Sequence, residues 1–353
     1  MSALAAPIGT ANLGFPRIGP NRELKRALES FWKGESSEKA LLDTARALRK
    51  SNWQFQKSAG LDLIPSNDFS LYDPMLDTIC LVGAIPERFG FKGGKVDLDT
   101  YFAMARGTQE KKGFKGKSAH AMEMTKWLDT NYHYIGPELT RDSAFSLSSR
   151  KVFDEFKEAL SLGVRTRPVL IGPVTFLAFA KAVGEKFETL LLLERILPVY
   201  VAALRELAGL GAEWVQIDEP VLVLEVSDTV REAVRKTYET FARDIPGLNI
   251  CLTTYFEALD DNLAVAAKLP VAALHVDLVR APQQLKKILA SSPASLALSL
   301  GVVDGRNIWK NDMSQTLRIL REVLSEQPVR RIWIAPSCSL SHVPIDLSME
   351  TSL

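Results

Sequence analysis

Cysteine is scarce in this chain: Cys80, Cys251 and Cys338 are the three in 353 residues, and they lie far apart. An odd, sparse set excludes a disulfide framework and fits a reducing compartment, so a cytoplasmic location is expected. No stretch of about 18 apolar residues is free of charge, and the Ala-rich start, Met1 to Ala11, has no basic segment leading into a long apolar one. Neither a membrane span nor a signal peptide is therefore read. Charge of one sign is also lacking, with 43 Lys and Arg against 42 Asp and Glu and a formal net charge of +1. No global field gathers nucleic acid or an anionic membrane, and any basic site must be local. A P-loop is absent, as is a Gly-x-Gly-x-x-Gly opening a helix after a strand, which leaves nucleotide binding without support. The chain has no Cys-x-x-Cys and no His-x-Cys. A zinc site needs three or four converging ligands; the nearest pairing, Cys338 with His342 beside His275 and Asp277, does not supply a complete set, and no metal site is expected here.

What is present is the balance of a globular protein, 46% hydrophobic and 24% charged, with ample apolar surface for a core. From Thr166 onward, short apolar runs alternate with amphipathic segments of helical length, the rhythm of βαβ units with parallel strands. Strands are expected at Arg167 to Ile171, Trp214 to Asp218, Asn249 to Thr254, Ala272 to Asp277, Leu296 to Val303 and Arg331 to Pro336. Helices are expected between them at Phe187 to Leu210, Asp228 to Arg243, Gln283 to Ala290 and Met313 to Ser325. Two more strands, Asn12 to Ile18 and Leu61 to Pro65, raise the count to eight, and eight parallel strands can close a (βα)8 TIM-type barrel. In the first helix Asn21 is the expected N-cap, Leu24, Ala27, Leu28 and Phe31 follow the helical spacing, and Gly34 ends it.

The segment 85–148 breaks the rhythm and reads as a long insertion between strands 2 and 3, with a mobile loop at 106–118 and a hairpin around Trp127 to Tyr134. The barrel is expected to span 1–342. An eighth strand is normally followed by a helix that covers it. The natural protein is therefore expected to continue, with 343–353 beginning a linker to a further barrel.

In parallel barrels functional side chains collect at the carboxyl ends of strands. Asp218 and Glu219 end one of them and invite a general acid/base reading, but neighbours on a strand point to opposite faces and need not share a site. A basic group stands at the first strand: Arg17 at its end, then Arg22 and Lys25 in the first turns of the following helix, whose unpaired amides favour anions. That group is either a cradle for carboxylate or phosphate, or a solvated helix face paired with Glu23 or Glu29. Lys126, Trp127, Asn131, Tyr132 and His133 make a polar-aromatic patch in the insertion, either a binding element or a hairpin packed on the rim.

Several strings, in order, resemble cobalamin-independent methionine synthases: Leu13-Gly14-Phe15-Pro16-Arg17-Ile18-Gly19 with Arg22-Glu23-Leu24-Lys25, then Ile64 to Ser70, Lys126-Trp127 through Tyr134, Arg167 to Leu170 with Gly172-Pro173, and Gln216 to Pro220. The resemblance runs from about Leu13 to the end. It implies two face-to-face barrels, this chain supplying the first. The second would hold zinc through His, Cys, Glu and Cys and bind homocysteine, whose thiolate takes the methyl group of 5-methyltetrahydropteroyltriglutamate. It further implies that Arg22, Glu23, Leu24 and Lys25, with Lys126 and Asn131, contact the oligoglutamate tail, beside Arg17. No catalytic residue is expected in this half, which would bind folate weakly or not at all and be inactive alone. Two other readings stay open: a self-sufficient barrel hydrolase or lyase using Asp218 and Glu219, and a purely structural barrel.

Overall fold

The computed structural model describes residues 8–108, 119–327 and 331–345. Within them eight parallel strands run in sequence around a barrel: β1 (Ile8–Thr10), β2 (Ile64–Ser66), β3 (Thr166–Ile171), β4 (Trp214–Asp218), β5 (Asn249–Thr253), β6 (Ala273–Asp277), β7 (Ala297–Val303) and β8 (Ile332–Pro336). Neighbours pair in register, for example Ile217 with Leu252 and His275 with Ser299. Closure comes from a bridge between Ala11 and Leu63, where Leu63 N donates to Thr10 O and Asn12 N to Leu63 O at 3.0 Å each.

The last six strands lie within a residue or so of their expected positions, because each is a short apolar run covered on both faces. The first does not: β1 is Ile8–Thr10, and Asn12 to Ile18 forms the loop that follows it. The side chain of buried Asn12 there donates to Gln56 at 2.7 Å, and past the Asn12 backbone bond to Leu63 the ladder stops, since Pro16 cannot supply a ladder donor.

Opposite strands meet through Trp214 and Trp333, whose rings sit edge to face with centroids 5.0 Å apart. They belong to β4 and β8, so this contact plugs the amino-terminal end of the barrel with Cys251, Ala273 and Ala297 around it. The carboxyl ends of the strands are thus the open mouth.

The helical layer is irregular at the front. Helices α1 (Glu23–Lys33) and α2 (Glu38–Ser58) both follow β1, and α2 is the one that lies on the barrel, with Trp53 packed against Ile64, Ala159 and Val164. Helix α3 (Pro74–Val82) is buried along most of its length, α4 (Leu98–Arg106) belongs to the insertion, and α5 (Lys151–Ser161) packs on β2 and β3. Then come α6 (Pro173–Ala178), α7 (Leu193–Gly209), α8 (Asp228–Asp244), α9 (Leu263–Ala266), α10 (Gln284–Ser291) and α11 (Met313–Glu326). A 3-10 turn, Thr189–Leu192, replaces the first turns of the helix expected from Phe187. Helix α8 shows how pattern becomes packing: Ser227 caps it by accepting from Val230 N, and Val234, Tyr238 and Phe241 repeat on one fully buried face. Burial of each such side chain contributes roughly 1.5–3 kcal/mol.

The insertion folds as the spacing predicts, with an antiparallel hairpin of Met124–Lys126 and His133–Ile135. Most of the expected loop 106–118 lies outside the described residues. Its roots are joined, since Thr108 N donates to Ala119 O at 2.8 Å.

Candidate functional site

The hairpin lies over the barrel mouth. Trp127, Thr130, Tyr132 and Tyr134 from the hairpin face Asp68, Ile171, Asp218 and Tyr255 from the strand ends, leaving a cavity of about 90 Å³ between them. Trp127 meets the rings of Tyr134 and Phe179 edge on, at 5.2 and 5.4 Å. At the hairpin turn, Asp129 pairs with Arg280 beyond β6 and Arg306 beyond β7, each at 3.1 Å. Aromatic packing and two ion pairs together hold the cover in place.

Four carboxyls around this region are pushed up, half-buried Asp68 to about 6 and buried Asp73, Asp218 and Glu219 each to about 7. Desolvation is the leading cause in each, since burial penalises the charged form. Hydrogen bonds oppose it. Asp73 caps α3 by accepting from Met75 N and Leu76 N and takes a third bond from Ile135 N, tying helix to hairpin. Asp218 accepts from Gln216 Nε2 at 2.8 Å and from the Tyr255 hydroxyl at 3.4 Å.

Glu219 turns the other way. Its oxygens accept from Val174 N at 3.2 Å and Thr175 N at 2.7 Å, so it serves the start of α6. Alternation along the strand has separated the two carboxylates, and Glu219 is absent from the lining of the mouth.

The basic candidates divide into two tasks. Arg17 does not end a strand: it sits in the loop after β1, where its guanidinium donates to Ser70 O at 2.8 Å and Tyr72 O at 2.7 Å and leans on Leu71 O at 3.4 Å. It fastens one rim loop to another. Arg22, not Asn21, occupies the N-cap position of α1, and its side chain makes no cap bond. Asn21 instead donates, from backbone and side chain, to Glu23 at 3.0 and 3.1 Å. Arg22 has φ 60 and ψ 36, the left-handed region disfavoured for a side chain of this size. Arg22 and Lys25 are exposed; Lys25 stands 3.9 Å from Glu29, and Arg22 has no ion pair among the described residues. Leu24 is fully buried, so only its backbone faces the turn.

Lys126 and Asn131 are exposed on the hairpin. Lys126 lines an open groove with Tyr134, Phe179, Leu224 and Phe256. The groove that Lys126 lines does not include the Arg22–Lys25 turn. The stretch Ser70 to Asp73 links them, accepting from Arg17 on one side and from Ile135 N on the other.

Residues 9–328 match the family described as cobalamin-independent synthase, N-terminal domain. The chain belongs to that family. It is 54% identical to a 5-methyltetrahydropteroyltriglutamate–homocysteine methyltransferase of Nitrobacter winogradskyi, over 97% of this chain and 46% of the relative. Proteins of the same name from Caulobacter vibrioides and Salinibacter ruber are 53% and 52% identical, with 97% of this chain matched in each and 46% and 45% of the relative. The chain thus spans a little under half the length of these relatives. A solved B12-independent methionine synthase from Shewanella superposes with a TM-score of 0.64 at 14% identity, covering 99% of this chain and 94% of that one. A putative vitamin-B12-independent methionine synthase from Listeria monocytogenes gives the same TM-score, 0.64, over 96% and 93% of the two chains. At such identity the likeness shows the fold, a methionine-synthase type of TIM barrel.

The zinc that the family resemblance implies has no fit among the described residues of this cobalamin-independent synthase domain, where no group of three His, Cys, Asp or Glu side chains is arranged to hold a metal ion. His275 hydrogen-bonds with Ser299 Oγ at 2.8 Å and Ser337 O at 3.3 Å, and burial pushes it down to about 3. Burial pushes the Cys338 thiol up to about 12, far from the thiolate a metal needs. The sequence reading missed Asp129, whose partners are remote in the chain. It also missed Lys151, which is held by Asp77 at 3.2 Å, Glu155 at 3.3 Å and Asn67 Oδ1 at 2.8 Å behind the mouth.

Proposed function

We propose that this chain is the folate-gripping and scaffolding half of a methyltransferase that carries the methyl group of 5-methyltetrahydropteroyltriglutamate to homocysteine, giving methionine in the cytoplasm. Zinc and homocysteine are assigned to a second barrel, in the part of the relatives that this chain does not span. Residues 1–342 form the amino-terminal barrel and 343–353 begin the linker.

One observation carries the reading: Arg22 at the N-cap and Lys25 in the first turn are exposed cations at the start of the helix that follows the loop after β1, within a chain more than half identical to relatives of that name. Two exposed cations at a helix start suit a short string of carboxylates without a basic protein overall. Lys126 and Asn131 extend the grip from the hairpin, and Glu23 and Leu24 act through the backbone and shape of the turn. Arg17 positions the rim. The hydrolase alternative loses support because Glu219 is committed to α6 and does not face the mouth that Asp218 lines.

The test is steady-state kinetics on the two-barrel enzyme. Lys25→Glu should raise KM for the triglutamate substrate about tenfold or more, the effect of one reversed charge contact, while kcat and KM for homocysteine hold. The monoglutamate should respond far less. An unchanged triglutamate KM would favour a purely structural barrel.

A further inference from the structure

The flank of the barrel holds a second cavity, about 570 Å³, within the range of small-molecule sites. One wall is α2, with Leu42, Arg46 and Arg49, and another is α5, with Lys151, Glu155 and Glu158. Phe69 and Leu71 give it an apolar side, and Lys95 stands at the rim. Asp77 lines this cavity and the mouth alike.

The charges inside do not balance. Arg49 pairs with Glu158 at 2.6 Å and Glu155 at 3.6 Å, and Lys151 with Asp77 at 3.2 Å and Glu155 at 3.3 Å. Two cations thus face three carboxylates. Among the described residues two buried side-chain atoms of this cavity have no hydrogen-bond partner, the acceptor Glu158 Oε1 and the donor Arg49 Nε. An unsatisfied acceptor in a net-negative enclosure disfavours an anion and favours an ammonium group. At the rim Asp97 is engaged in capping Thr100 N, Asp154 in pairing with Lys157 and Arg46 in pairing with Asp43, which leaves exposed Lys95 and, across the opening on α2, exposed Glu38 without ion pairs among the described residues.

We propose that this flank cavity binds a small zwitterion, an α-amino acid with an apolar side chain, whose ammonium seats against Glu155 and Glu158. Its carboxylate meets Lys95 and its side chain lies along Phe69 and Leu71. The site is separate from the folate grip and does not depend on the methyl-transfer reading. Occupancy would be felt at the mouth, because Asp77 accepts from Ser70 Oγ at 2.7 Å and the Ser70 carbonyl holds Arg17.

Calorimetry of this chain with L-leucine, N-acetyl-L-leucine and L-leucinamide tests it. Leucine should bind one to one with a Kd of about 1 mM or tighter, and each blocked analogue, lacking one charge, about tenfold more weakly or worse. Leu42→Trp, which fills the cavity, should abolish binding, and Glu158→Gln should weaken it about tenfold, with melting curves confirming that each variant folds. Absence of leucine binding, binding undiminished in both variants, or leucinamide binding as well as leucine would each overturn the proposal.

Discussion

Asp129 and Arg306 are 177 positions apart in the chain, yet Oδ1 of one lies 3.1 Å from Nη1 of the other. Arg280 joins the same carboxylate at 3.1 Å. One residue at a hairpin turn thus pins the insertion to two rim loops.

These ion pairs are partly exposed, so each contributes less than about 1 kcal/mol to global stability. Their effect is local. Asp129→Ala should leave the melting temperature nearly unchanged while amide exchange across 124–135 accelerates several-fold, because the hairpin turn then loses its ion pairs and the cover relies on Trp127 with its aromatic neighbours and on the Ile135 N bond to Asp73. Exchange rates equal to wild type would mean that the aromatic contacts suffice.

Arg17 and Arg22 should part company under mutation. Arg17→Ala abandons carbonyls at positions 70, 71 and 72 and should cost roughly 2–3 kcal/mol, read as a lower urea midpoint. Arg17→Lys should rescue little, since an ammonium cannot bridge two carbonyls as the guanidinium fork does. Arg22→Ala should lie within about 0.5 kcal/mol of wild type, as an exposed side chain without partners does. Equal losses at both positions would contradict the division of tasks.

How much of this was legible in the sequence depended on the range of the forces involved. Strands β3 to β8 announced themselves as short apolar runs, and the separation of Asp218 from Glu219 followed from alternation alone. The first strand was misplaced because Leu13, Phe15 and Ile18 look like strand residues, while the real one has three residues with an exposed Ile8. Asn21 was taken for a cap because its type is right, yet its amide is spent on Glu23. The Asp129 pairs and the contacts of Lys151 with Asp77 and Asn67 depend on partners dozens to hundreds of positions away, which no local pattern encodes.

Gly172 is required by space, not by backbone freedom, as its φ is −70. A Cβ there would fall 2.1 Å from Glu219 Cδ. Gly172→Ala should therefore push Glu219 off the two amides it satisfies and cost about 3 kcal/mol in a denaturant titration. Gly209→Ala, near the end of α7 with open space around it, should be neutral or up to about 1 kcal/mol stabilising. Similar losses for both would show that the Glu219 contact is not what excludes the methyl group.

The buried carboxyls give stability a definite pH slope. Asp218 titrates at about 7 in the folded chain against an ordinary 3.8, mainly because burial penalises its charge. A raised carboxyl pKa means that the folded state holds the proton more tightly. Its contribution is complete below pH 3.8 and is lost as pH rises through about 7. Asp68, Asp73 and Glu219 act with the same sign. Asp218→Asn removes one of these slopes while an amide can still accept from Gln216 and donate to the Tyr255 oxygen. Between pH 5 and 8.5 the variant should lose roughly 2 kcal/mol less stability than wild type in parallel urea titrations. Identical slopes would show that Asp218 is already ionised in the folded chain at pH 5, its charge stabilised there by Arg167.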